Sequence, residues 1–299
     1  MLKYSSRSSS SQSYVHNDKI IEQFSLQAIK FGKVPGHLDS LELLIKMASV
    51  NMESEILDVA CGPGIVGCEF SKYCKSVTGI DITPGMIDQA KKRQKEKNVD
   101  NVSWSVGDVT SLPFPRSSFS HVITRYSFHH FLDPSEVLCE MMRVCKPNGR
   151  IIIADVIQQS STTEAYDKLE LIRDPSHVHA LIKEEWEDLM NSVAVSCEHR
   201  NAADQPRLAN IQCSGYVVNI GLHEILQASF PNPGDDIKIK EIFEDDLRNG
   251  TDSLGINIHR VGSEIRFEVP IVVFAADIRK LEYMSLNHLT SVFEGLCQL

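Results

Sequence analysis

Residues 56–67 read Ile56-Leu57-Asp58-Val59-Ala60-Cys61-Gly62-Pro63-Gly64-Ile65-Val66-Gly67. An apolar, partly β-branched run breaks into glycines and then turns apolar again, the pattern of a strand whose closing turn opens a helix. Gly62, Gly64 and Gly67 spell G-x-G-x-x-G. Glycine suits a tight turn with positive φ and leaves no Cβ in the path of a ligand that approaches the backbone closely. Free amides at the start of the helix then face that ligand.

Outward from this turn the period of the apolar pattern keeps switching. Residues 55–59, 76–80, 102–106, 121–124 and 151–156 are short strand-like runs separated by helical ones. Thr83-Pro84 and Asp133-Pro134-Ser135-Glu136 are helix-start signals, and Lys146-Pro147-Asn148-Gly149 is a turn. Strands apolar on both faces need helices on both sides, so residues 50–157 read as a doubly wound α/β domain. Its ligand belongs at the carboxyl ends of the strands.

Two cofactor classes use such a turn: a dinucleotide, with its pyrophosphate at the helix N-terminus, and S-adenosylmethionine, which has no phosphate. Asp58, four residues before Gly62, would repel a pyrophosphate and attract an ammonium or sulfonium, directly or through water. Asp81 closes the next strand, where a carboxylate can accept from both ribose hydroxyls of either cofactor. Gly107-Asp108-Val109 places a third acid at the same sheet edge, within the reach of an adenine amino group.

Asp58 to Gly64, Gly79 to Ile82, Gly107-Asp108 and Arg143 to Gly149 together resemble the class I S-adenosylmethionine-dependent methyltransferases. Within that superfamily D-V-A-C-G-P-G, G-I-D-I-T-P-G-M, G-D-V-T-S-L-P-F and R-V-C-K-P-N-G-R resemble the ubiquinone/menaquinone-biosynthesis-like subgroup, methyltransferase type 11. The resemblance implies a doubly wound, Rossmann-like, mostly parallel seven-stranded sheet with an antiparallel C-terminal strand and helical insertions on the substrate side. It implies that Asp58, Ala60 and Gly62 line the methionine end of the cofactor, with Cys61 and Gly64 in the same turn. Asp81 and Ile82 would hold the ribose and flank adenine, Gly107, Asp108 and Val109 would meet the adenine edge, and Met86 would pack nearby. Ala60 departs from the commonest pattern, which has glycine there. The N-terminal tract D-x-M-S-x-G-x-H-R of the quinone C-methyltransferases is absent, which leaves the substrate open.

Thr124, Arg125, Tyr126, Ser127, Phe128, His129 and His130 follow the fourth strand, where the methyl group points in this family. Among the catalytic candidates Arg125, Tyr126, His129 and His130, His129 ranks first as a base, since histidine titrates near neutrality. A histidine pair beside Phe128 and Phe131 also fits plain packing, and proximity alone drives many methyl transfers. Arg125 fits a substrate carboxylate or an acid of the chain itself. Phe24, Phe31 and Tyr126 are candidates to cover the cofactor, with core packing the blander alternative, and His37 is a weaker site candidate. Cys61 reads as a small filler in the glycine turn.

The chain outside residues 51–157 divides less sharply. Residues 1–17 hold seven serines and no acid, the composition of a disordered tail and faintly that of a transit peptide. Residues 18–50 read as N-terminal helices covering the cofactor site, one carrying Ile20, Ile21, Phe24, Ala28 and Phe31 and stopping at Gly32, a second over 38–48. Residues 158–277 hold substrate-side helices near 162–173, 182–192 and 214–229, a strand at 193–198 and a hairpin of 256–261 with 265–275 around Gly262-Ser263. Residues 278–299 read as a C-terminal helical tail.

The 299 residues carry 30 Lys+Arg against 40 Asp+Glu, a net charge of −10, which disfavours nucleic acid as a partner. The basic run Lys91 to Lys97 suits the solvated end of a helix. No stretch of eighteen apolar residues occurs, which excludes a spanning helix. Eight cysteines without a CxxC pair fit reduced thiols and a cytoplasmic home. His177 and His179 lack an obvious set of further ligands, so no metal is expected.

The expected activity is a methyltransferase (EC 2.1.1.-) moving a methyl group from S-adenosylmethionine to O, N or C of a small molecule, as a monomer or homodimer. A nicotinamide oxidoreductase is the rival from another enzyme class. A methyltransferase fold that binds the cofactor for a cyclisation, or serves as an interaction module, is the second alternative.

Overall fold

The computed structural model describes residues 10–31, 40–196 and 206–280. Two helices, α1 (Ser10–Phe31) and α2 (Leu41–Ala48), precede the alternating core. The core runs β1 (Glu55–Val59), α3 (Ile65–Phe70), β2 (Ser76–Asp81), α4 (Pro84–Lys97), β3 (Val102–Val106), β4 (Phe119–Arg125), α5 (Pro134–Val144) and β5 (Cys145–Val156). Then follow α6 (Thr163–Arg173), α7 (Lys183–Ser196), β6 (Pro206–Gly221), α8 (Leu222–Ser229), α9 (Asp235–Asn249), β7 (His259–Val261) and β8 (Glu264–Lys280).

The strands form one sheet in the order β3-β2-β1-β4-β5-β8-β6, with β7 paired to β8 off that path. β3, β2, β1, β4 and β5 are mutually parallel, and β8 runs antiparallel to both β5 and β6. The order reverses at β1/β4, so a cleft opens beyond the carboxyl ends of these strands. β1 sends Ile56 into one apolar layer and Leu57 and Val59 into the other. Burying each such side chain contributes about 1.5–3 kcal/mol. No helix among the described residues is long and apolar enough to cross a membrane.

The structure departs from the expected elements in several places. The expected tail over 1–17 is helical from Ser10, because His16 donates to the His130 carbonyl at 2.7 Å and Asn17 to Asp108 at 2.8 Å; tertiary bonds override the weak helix propensity of serine. Where a helix was expected over 214–229, β6 continues to Gly221: Val218 and Ile220 alternate inward while Val217 is exposed, and β8 supplies a long antiparallel partner. The expected strand at 193–198 is helical as far as Ser196. The sheet has eight strands rather than seven, the extra one being β7, the first arm of the expected hairpin. The Lys146–Gly149 turn is an excursion within β5, between Cys145 paired to Phe119 and Arg150 paired to His121. Cys61, Cys68, Cys74, Cys145 and Cys213 are free, whereas Cys139 is disulfide-bonded. The expected tail at 278–299 lies largely outside the described residues, as does His37.

Trp104 of β3 explains most of the glycine pattern. Its ring would lie 2.7 Å from a Cβ at Gly64, 2.9 Å from one at Gly67 and 2.3 Å from one at Gly79, and its Nε1 donates to Gln94 of α4 at 2.8 Å. Gly79→Ala is therefore expected to destabilise the chain by about 1–3 kcal/mol through overpacking. Urea denaturation of a double-mutant cycle with Trp104→Ala checks it: the cost should shrink when the ring is gone, and an unchanged cost would assign the glycine another role.

Candidate active site

The turn after β1 is built from three residues in the left-handed region, Ala60 (φ 53°), Gly62 (φ 50°) and Gly64 (φ 73°). Gly62 alone of the motif has nothing within 4 Å of a would-be Cβ, so its open side faces a cavity of about 1170 Å3, mouth included. Ala60, Cys61, Gly62 and Pro63 line this cavity together with Asp81, the last residue of β2, Ile82 after it, and Asp108, Val109 and Thr110 after β3. Asp81 knits the first two turns together: one oxygen accepts from the Gly62 amide at 2.8 Å and the other from Thr83 at 2.9 Å. Burial raises its pKa, opposed by those two amide bonds.

Asp58 lies elsewhere than expected. It is buried beneath the turn, accepts from the Gly67 amide at 2.9 Å and does not line the cavity. Burial pushes its carboxyl up to about 7. Leu57 and Val59 occupy one face of β1, so Asp58 points to the other, under the start of α3. Gly64, Gly107 and Thr124 also stand behind the wall: Gly107 donates to the Asp81 carbonyl at 3.0 Å and Thr124 bonds the Ser127 hydroxyl at 2.6 Å.

The far wall comes from α1 and the loop before α5. Ser13, His16, Asn17, Ile20 and Phe24 close one side, and Leu132, Asp133 and Glu136 another. Among the described residues four carboxylates, those of Asp81, Asp108, Asp133 and Glu136, thus line the cavity against the single guanidinium of Arg125. Arg125 stands over the Tyr126 ring at 4.3 Å and donates to its hydroxyl at 3.0 Å, and that hydroxyl is 2.8 Å from the Tyr216 hydroxyl. Tyr126 itself sits at φ 57°, strained backbone of the kind that gathers at functional turns. Of the other expected residues, Met86 and His130 line the cavity; Phe31 ends α1 and its side chain lies outside the described residues.

His129 faces a second cavity of about 720 Å3, mouth included, which shares Phe24, Tyr126 and His130 with the first. Asp155 holds it there. That carboxylate accepts from the amides of Ser127, Phe128 and Val156 at 2.7 Å each and from His129 Nδ1 at 2.6 Å. Burial opposes charge on the imidazole, but Asp155 outweighs it and holds His129 above its ordinary pKa. His130 behaves in the opposite way: its Nδ1 bonds the Ser176 carbonyl at 3.0 Å and burial pushes it down to about 3. Tyr166, Glu170 and Arg173 of α6 and residues of β6, α8 and β8 complete this cavity.

The sequence reading missed Asp155, although it is another acid near a strand's carboxyl end and the rule that found Asp81 and Asp108 would have found it. It missed Tyr166, Glu170 and Arg173, whose i, i+4, i+7 spacing places them on one face of α6. Nothing in residues 10–17 alone signals that His16 and Asn17 close the first cavity.

A doubly wound sheet that brings Asp81 and Asp108, at two successive strand ends, to one cavity defines a Rossmann-like fold. Residues 57–153 match the methyltransferase domain family, and this segment is similar to the class I S-adenosylmethionine-dependent methyltransferases. The uncharacterized methyltransferase YcgJ of Bacillus subtilis (strain 168) is 35% identical over 162 residues, 54% of this chain and 64% of that protein. Its crystal structure superposes with a TM-score of 0.68 at 27% identity, covering 81% of this chain and 99% of that one. The demethylmenaquinone methyltransferase of Tropheryma whipplei (strain Twist) is 34% identical over 112 residues, 37% of this chain and 45% of that protein. The chain therefore spans less than two thirds of the length of these curated relatives. The 4+2 cyclase SpnF shares the fold, with a TM-score of 0.55 at 14% identity over 81% of this chain and 80% of that one.

His177 and His179 stand apart from both cavities. His177 Nε2 and His179 Nδ1 bond the two oxygens of Asp167 at 2.7 and 2.6 Å, and His179 Nε2 bonds Glu185 at 2.7 Å. Among the described residues no group of His, Cys, Asp or Glu is arranged to hold a metal ion. The hydrogen bond to Asp167, with Glu185 adding to it, raises His179 from 6.5 to about 9. A raised histidine stabilises the fold fully below its unfolded value and loses that contribution as pH rises through its folded one. The melting temperature should therefore fall between pH 7 and 9 more steeply in the parent than in His179→Gln; equal slopes would contradict the assignment.

Proposed function

We propose that this chain transfers a methyl group from S-adenosylmethionine to a small molecule. The observation that carries the reading is the charge of the first cavity, four carboxylates against one guanidinium among the described residues. A pyrophosphate there would meet net repulsion at close range, whereas an ammonium and a sulfonium would meet attraction. This disfavours the nicotinamide alternative on electrostatic grounds.

The residues divide the work. The open side of Gly62 leaves space for the methionine portion. Asp81 already fixes the turn through its two amide bonds and has remaining lone pairs for ribose hydroxyls. Ile82, Met86 and Val109 offer apolar surface to adenine, with Asp108 at the edge. Asn17 and His16 tie α1 to the same wall, so α1 excludes water from the cavity it closes. The cofactor supplies an electrophilic methyl group. The chain supplies alignment, the main source of rate in such a displacement. The cyclisation alternative rests on fold alone and would bind cofactor without turnover.

Asp81→Ala should weaken S-adenosylhomocysteine binding at least about tenfold, the equivalent of roughly 1.4 kcal/mol. Asp58→Ala should do so too, by freeing the Gly67 amide from beneath the turn. Calorimetric titration of the folded variants checks both, and undiminished affinity in Asp81→Ala would reject the site.

A further inference from the structure

We infer that the second cavity is the acceptor site, that it takes an uncharged, largely apolar molecule bearing a hydroxyl, and that His129 removes the hydroxyl proton. The inference rests on the methyltransferase reading of the first cavity. The two cavities adjoin through Phe24, Tyr126 and His130, which line both. A molecule in the second therefore rests against the same three side chains that wall the first.

The walls define the body of the acceptor. Val156, Val218, Ile220, Phe267, Val269 and Ile271 give the cavity an apolar lining, suited to aromatic or aliphatic surface. The polar end excludes an anion. Among the described residues Arg173 is the only arginine or lysine lining the cavity, and its fork is taken by both oxygens of Glu170, with a further donor bound to Ser229 at 2.9 Å. Asp174 adds a second carboxylate beside it. A phosphate or carboxylate head would thus meet two acids and a guanidinium already paired with one of them.

His129 defines the reacting group. In the neutral ring Asp155 fixes Nδ1 as the donor and leaves Nε2 as the acceptor, and the same carboxylate favours the imidazolium that proton uptake forms; the side chain is 14% exposed and borders this cavity. A neutral amine attacks with its own lone pair and needs no base beforehand, whereas a hydroxyl gains from one. In the step proposed, the hydroxyl proton passes to His129 Nε2 and the oxygen lone pair forms the bond to the methyl carbon. The carbon–sulfur bond breaks with its electron pair left on sulfur, giving the methyl ether and S-adenosylhomocysteine; the imidazolium then releases the proton to water.

Two readouts test this with the full chain. In calorimetry with S-adenosylhomocysteine present, 2-naphthol should bind at least tenfold more tightly than 2-naphthyl phosphate or 2-naphthoate, and Val269→Trp should weaken 2-naphthol while sparing the cofactor. With labelled S-adenosylmethionine, methyl transfer to 2-naphthol should fall at least a hundredfold in His129→Gln, both dissociation constants staying within threefold. Preference for either anion, binding of none of the three, or undiminished transfer in His129→Gln overturns the inference. Failure of S-adenosylhomocysteine to bind at all overturns the methyltransferase reading instead.

Discussion

The ring of Trp104 lies so close to Gly64, Gly67 and Gly79 that no side chain fits between them. With the indole held by Gln94, α3, β2 and β3 are locked at a spacing only glycine permits. That spacing carries the turn after β1 against the end of β2, where Asp81 reaches the Gly62 amide. The floor of the first cavity follows from this contact: a rigid, close-packed layer behind, and one open glycine in front. A packed interior transmits such a constraint because it has no slack to absorb it.

Asp155 plays the matching part on the other side of the switch point. Three backbone amides and one imidazole converge on its carboxylate, enough to keep it ionised although it is buried. The loop after β4 is thereby held in one conformation, with His129 turned to the second cavity and His130 to the seam between the two. Helix α1 completes the arrangement from outside. Phe24 touches both cavities, while Gln27 reaches Asp174 at 3.0 Å, so one helix closes both chambers.

The core of the fold was legible because its signals are local. Strand ends, the caps Thr83 and Asp133 and the glycine turn each depend on neighbours in sequence, and β1 and β3 fall on the residues expected. The first cavity was legible for the same reason, since Ala60, Gly62, Asp81, Ile82, Asp108 and Val109 all follow parallel strands. What failed depends on distant partners. β6 looks helical until β8 pairs with it, and residues 10–17 look disordered until His130 and Asp108 bind them. Asp58 illustrates a finer limit: its place at the strand end was right, but the pleat that turns it beneath Gly67 is invisible in composition. The second cavity draws on α1, α6, β6, α8 and β8 at once, and no stretch of sequence contains it.

An acidic first cavity of this kind should accept a sulfonium cofactor and refuse a pyrophosphate. Parallel calorimetric titrations of the full chain with S-adenosylmethionine, S-adenosylhomocysteine and NADH test it most directly. The first two should bind and NADH should not; binding of NADH alone would overturn the assignment of the cavity to a sulfonium cofactor.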